Sequence, residues 1–104
     1  MRPKTVTVTG SNDPYVIPVS YRAGHTSVHC EVTGTIDYTV SYSVQNILSI
    51  ATPATNADWV AITGMTAATA TATAKIDTSI SGLKVVVNSG AGSVDITVSQ
   101  PDNG

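Results

Sequence analysis

A chain of 104 residues with a net charge of −2 and only 12% charged residues fits one domain with a modest core. It has neither the self-repulsion that keeps chains disordered nor a basic surface for nucleic acid, since Arg2 and Lys4 are its only basic cluster. No apolar run approaches the ~20 residues that span a bilayer, and the N-terminal residues lack the apolar segment of a signal peptide. The sequence therefore reads as a soluble protein made in a cytoplasm, with neither nucleic acid nor membrane as partner.

Residues 5–9 alternate Thr and Val and predict a first strand, or an N-terminal arm, with Val6 and Val8 inward. Gly10, Ser11, Asn12, Asp13 and Pro14 form a dense turn signal. Tyr15, Ile17 and Val19 make a second inward set, with Pro18 marking an edge strand or a bulge because proline cannot donate to a ladder. Residues 22–25 read as a loop. Val28, Cys30 and Val32 then point inward, with His29 and Glu31 outward.

Residues 36–44 carry the strongest pattern in the chain. Ile36, Tyr38, Val40, Tyr42 and Val44 alternate with Asp37, Thr39, Ser41 and Ser43, which predicts a long strand with one buried face. If residues 33–35 are a hairpin loop, Cys30 opposes Tyr38 and Glu31 opposes Asp37, the latter a mildly unfavourable pair. Residues 45–58 break the alternation, and residues 47–50 read as a short strand or a buried loop. Loops of this length in a small domain are usually functional or variable. Trp59 is the largest side chain available to cap the core. Residues 67–74 alternate Ala and Thr and predict a strand with Ala inward. Leu83, Val85 and Val87, then Val94, Ile96 and Val98, predict a closing hairpin with residues 89–92 as its glycine-rich turn.

Seven or eight short strands with no substantial helix predict an all-β antiparallel sandwich or jelly roll in a single domain over residues 1–104. The expected core is Val28, Cys30, Ile36, Tyr38, Val40, Tyr42, Trp59, Val85, Val87, Val94, Ile96 and Val98.

Candidate chemistry is sparse. His25 and His29 make half a zinc site at best, and Cys30 points to the opposite face. An inward cysteine without adjacent cations is an inert thiol, and a single cysteine cannot form an internal disulfide. The carboxylates Asp13, Glu31, Asp37, Asp58, Asp77, Asp95 and Asp102 fall mostly in turns or on wet strand faces. Glu31 and Asp37 could imitate a glycosidase pair, but no sugar-stacking aromatic lies beside them in sequence. No catalytic residue, cofactor site or metal site is expected. The scarcity of charge on long Thr/Ser-rich strands instead points to strands covered by assembly, against the plainer alternative that Thr and Ser alone keep the surface soluble.

Residues 38–45, Trp59, the Ala/Thr stretch to Ala74, and residues 83–100 with their Leu-Lys-Val-Val-Val-Asn-Ser-Gly-Ala-Gly-Ser-Val pattern ending near Gln100 are similar to a group of virion proteins. These are the head decoration, or cement, proteins of tailed, often short-tailed, bacteriophages. The resemblance implies a non-enzymatic structural protein on the capsid surface, made in the bacterial cytoplasm, that bridges subunits of the major capsid protein. It implies a homodimer or homotrimer suited to symmetric lattice positions. The expected capsid contacts are Arg2 and Lys4 in the N-terminal arm, and Ile47, Leu48, Ile50 and Pro53 in the central loop. A carbohydrate- or receptor-binding module of a tail fibre or spike is the alternative, for which only Tyr21 and Trp59 are available as aromatic platforms.

Overall fold

The computed structural model describes residues 3–10, 14–20 and 24–100. Eight strands form there: β1 (Lys4–Val8), β2 (Tyr15–Pro18), β3 (Thr26–Thr33), β4 (Asp37–Ser43), β5 (Val60–Ala61), β6 (Ala72–Ile76), β7 (Gly82–Ser89) and β8 (Ser93–Ser99). They make two antiparallel four-stranded sheets, ordered β1-β8-β3-β6 and β2-β7-β4-β5. This order, in which β1 and β2, β3 and β4, β5 and β6, and β7 and β8 lie in opposite sheets, is that of a jelly roll. The chain is an all-β sandwich. The one α-helix described, α1 (Pro53–Asn56), is a single turn.

Period-two alternation puts one face of each sheet against the other. Val28, Cys30, Ile36, Tyr38, Val40, Val85, Val87, Val94, Ile96 and Val98 all lie in the buried core, joined by Val8, Ile17, Ile62, Met65, Ile76, Ile80 and Leu83. Tyr38 is the largest fully buried side chain, and its hydroxyl donates to the Ala70 carbonyl at 2.9 Å. Tyr42 keeps its inward parity but is only half-buried, because β4 ends where the sandwich opens. Val44 lies beyond the strand end and is 65% exposed.

Two expected hairpins do not form. β3 pairs with β8 and β6, while β4 pairs with β7 and β5, so residues 33–35 arch from one sheet to the other. β7 and β8 are likewise in different sheets, and residues 90–92 form a second arch. Cys30 opposes Ile96 and Ala72, and Tyr38 opposes Val87. Glu31 opposes Asp95 rather than Asp37. Alternation dictates which side chains face inward, but an arch and a hairpin satisfy it equally.

The arch glycines have a different task from the tight turn expected of them. The two arches lie back to back, with the Gly92 N–H donating to the Thr35 carbonyl at 2.8 Å. A Cβ at Gly90 would lie 2.7 Å from Ile36 Cα, and one at Gly92 would lie 2.9 Å from Thr35 N. Gly90 also holds φ +102°, where a side chain is strained. Close approach of two backbones therefore requires glycine at both positions.

The Ala/Thr stretch is a strand only from Ala72 onward. Before it, Ala68 exchanges backbone hydrogen bonds with Tyr38 at 2.8 and 2.9 Å, in one sheet. Thr71 then accepts from the Val32 N–H, in the other. The stretch is a crossing between sheets, with Ala67 at φ 51°. β6 also runs on through Lys75 and Ile76, past the end of the Ala/Thr alternation.

β2 is an edge strand carrying Pro18. β1 pairs with β8 along its whole length, so Lys4–Val8 is a strand and not an arm. The other end of the sandwich is pinned by Gln100, which is buried. Its amide donates to the Ser20 carbonyl at 3.0 Å and the Thr26 hydroxyl at 2.9 Å, while its carbonyl accepts from the Ser20 N–H at 3.1 Å. Arg2, Ser11, Asn12, Asp13, Tyr21, Arg22, Ala23, Pro101 and Asp102 lie outside the described residues.

Candidate docking surface

Residues 45–59 leave β4, cross the outer face of its sheet and return as β5. The base of this excursion is drawn together by Gln45 and Asp58. The Gln45 amide donates to the Asp58 carboxylate at 3.2 Å, and its carbonyl accepts from the Asp58 N–H at 2.7 Å. The Ser81 hydroxyl ties the excursion to the loop before β7 by donating to the main-chain carbonyl of Gln45.

Residues Ile47–Ser49 form a 3₁₀ turn, which replaces the strand or buried loop expected there. Ile47 is buried, and apart from the central core. A Cβ on Gly82 would collide with the end of the Ile47 side chain. Gly82 has outward parity on β7, opposite Ser43 and Pro18. The missing side chain is therefore a seat on the outer face, and Ile47 fills it. Burying an isoleucine contributes about 1.5–3 kcal/mol, so the excursion is anchored. Ile47 is a packing residue and is not available as a docking contact.

Trp59 continues this covering layer and does not cap the core. Its indole N–H donates to the Pro53 carbonyl at 2.9 Å. Lys84, outward on β7, sits 5.2 Å from the ring centroid and donates to the Ala54 carbonyl at 3.3 Å. Ser41 and Ser43, expected to be wet, are buried beneath the layer. Thr52, just before α1, holds φ 50°, uncommon for a β-branched residue.

Leu48 is left outside at 81% exposure, and Ile50 and Pro53 are half-buried beside it. Val44, Leu48 and Val60 are the exposed large apolar side chains among the described residues. All three lie on the excursion or at its base. Lys4 is exposed at the start of β1, in the other sheet.

The sequence matches no family model and no curated protein. A solved structure described as "Bacillus endospore appendages form a novel family of disulfide-linked pili" is similar over 92% of this chain and 81% of its own, with 15% identity and a TM-score of 0.48.

The opposite outer face, on the β1-β8-β3-β6 sheet, is bare and polar. Thr5, Thr97, His29 and Thr73 form a row across all four strands. Thr5 and Thr97 share a hydrogen bond at 2.9 Å, and His29 Nδ1 and Thr73 share one at 2.7 Å. Thr7 donates to Asp95 at 2.7 Å, which eases the approach of Glu31 across the ladder. Asp37 instead accepts from the Asn88 amide at 3.0 Å. His25 is exposed. Among the described residues, no group of three His, Cys, Asp or Glu side chains could hold a metal ion.

Cys30 lies in the core, its thiol a weak donor to Met65 Sδ at 3.9 Å. Burial pushes this thiol up to about 12, with a Tyr38 hydrogen bond pulling weakly the other way. The Tyr38 phenol is raised to about 12 by burial first, then by Cys30. A thiol in this state is not a nucleophile at neutral pH.

The sequence marks Gln100 only as the end of its closing motif, and nothing in it singles out Gly82 as a seat for Ile47. Gly82 carries a usable signal: a glycine inside a strand marks a close approach by something else.

Proposed function

We propose that this chain is a non-enzymatic structural protein of a phage virion that docks on the outside of the assembled head and bridges neighbouring capsid subunits. The observation that supports this reading most is Leu48, a large apolar side chain 81% exposed on an anchored excursion. An apolar side chain held out on a pinned loop suits contact with another protein surface. The docking contacts on this reading are Leu48, Ile50 and Pro53, with Ile47 holding the loop from beneath.

The mechanism is mass action. A protein that binds only the assembled shell stabilises it by its own binding free energy, repeated over many sites. Self-association into a homodimer or homotrimer would match symmetric lattice positions. The glycan- or receptor-binding alternative has less support, because the Trp59 ring faces Lys84 and its N–H is already engaged.

The test is co-sedimentation of the purified protein with undecorated mature shells of the phage that encodes it. Saturable binding is expected, with Leu48→Asp weakening it by about tenfold or more and leaving the melting temperature unchanged, since removing an apolar anchor from a contact costs over ~1.4 kcal/mol. Failure of the wild-type chain to co-sediment would end the reading.

A further inference from the structure

Two open sheets leave four edges, and an unpaired edge is a template for another chain. In one sheet the edges are blunted by familiar means. β2 carries Pro18, which cannot donate to a ladder, and β5 is two residues long. The β1-β8-β3-β6 sheet has neither device. Its edge strands β1 and β6 are five residues each, without proline, glycine or register shift, and each has a ladder partner on one side only.

What these two strands carry instead is lysine. The chain has three lysines, and Lys4 and Lys75 supply the single charge of β1 and of β6. Lys4 lies opposite the core residue Val98, so it has inward parity and is nevertheless exposed. An inward-pointing charge is a known way of blunting an edge. Lys75 lies opposite Ser27 on the outer face, with its ammonium 3.6 Å from Asp77.

Apart from the lysines, the two edges match. Three antiparallel steps separate β1 from β6, so these strands run in opposite directions. β6 of one copy and β1 of the next would therefore meet antiparallel, with the sheet continuing in the same orientation. A parity-matched register puts Val and Ala on the inner face of that seam and the threonines on the outer. The contact is heterologous and does not close, so it would string sandwiches together. On its inner face Lys4 would meet only Ala72, Ala74 and Ile76, and its ammonium would lose water with no carboxylate on that face of β6. Lys75, on the outer face, keeps its water and is the weaker block.

We infer that Lys4, backed by Lys75, keeps a second copy of this chain from joining edge to edge, β1 against β6, through an otherwise matched seam. The few charges of this sheet act by position and not by number. Any homodimer or homotrimer then forms through another surface.

The test is sedimentation velocity on the full chain carrying Lys4→Thr and Lys75→Thr, singly and together, at about 100 μM, where unprotected edges associate. The double change removes two positive charges and takes the net charge from −2 to −4. A larger net charge by itself opposes association. The expected mass is nevertheless at least about twice that of the wild type, as a non-closing contact requires, with slowed amide exchange in β1 and β6. Lys4→Thr alone should raise the mass more than Lys75→Thr alone. Lys4→Glu with Lys75→Glu, which keeps a charge at each edge, should sediment as the wild type. Both positions are exposed, so the melting temperature should stay unchanged throughout. Wild-type mass in the double threonine variant, equal association of the glutamate pair, association without protection of β1 and β6, or a wild type already paired through these edges would each overturn the inference.

Discussion

The two sheets share one core and differ in what lies outside them. The β1-β8-β3-β6 sheet shows solvent a row of Thr and His side chains hydrogen-bonded in pairs, while the β2-β7-β4-β5 sheet lies under residues 45–59. A bare polar face asks little of its sequence beyond alternation and hydroxyl groups. A covered face needs a gap for the anchor, which is Gly82, and a long cation to grip the returning chain, which is Lys84. Variability is therefore cheap on the first sheet and costly on the second.

The comparison can be broken most forcefully where the sheets meet. Gly92→Ala drives a Cβ into the Thr33–Thr35 arch, and the expected loss is about 3 kcal/mol or more, seen as a shift in the denaturation midpoint with both sheets unfolding together. Alkali attacks the shared core next. Cys30 and Tyr38 have folded-state values raised above their ordinary ones, so the stability they confer is complete below about pH 9 and is lost as pH climbs towards 12. A loss on the order of 3 kcal/mol across that window is expected in urea melts, and Cys30→Val should flatten the profile.

Gly82→Val tests the cover alone. The valine occupies the seat of Ile47, so the excursion should lift at a cost of about 1–3 kcal/mol. Amide exchange should quicken at residues 46–50 but not in β1 or β3. Adding Ile47→Ala to this variant should not cost the further ~2–5 kcal/mol of a buried Ile→Ala change. The smallest effect belongs to the bare face: Thr97→Ala removes one exposed hydroxyl pair and should change the midpoint by less than about 0.5 kcal/mol. A large effect there would mean that this face is also covered.

The fold class and the inward residues were legible because alternation reports burial directly, as at Tyr38, Val40, Val85 and Ile96. Strand partners were not legible. Residues 33–35 and 89–92 suit a hairpin as well as an arch, and only packing of the two arches on one another separates the cases. Ser41 and Ser43 misled because polar residues at outward parity look wet until another segment covers them. Ile47 looked like a contact for a partner for the same reason: its seat is a gap on a strand that lies 35 residues further along the chain. Leu48 is the docking candidate that the structure leaves most exposed, which its place in an apolar run did not reveal.

The position of β8 constrains how the protein can be made. β1 and β3 do not touch in the ladder; each pairs with β8, which lies between them. Completion of this sheet therefore waits for β8 to leave the ribosome, whereas the β2-β7-β4-β5 sheet does not need it. At roughly 5–20 residues per second, β1 waits about 5–20 s for its partner. A nascent chain stalled before β8 lacks one of the two central strands of this sheet, and β1 and one edge of β3 stand unpaired. That sheet is completed only after β8 has emerged, through contacts distant in sequence and correspondingly slow to form.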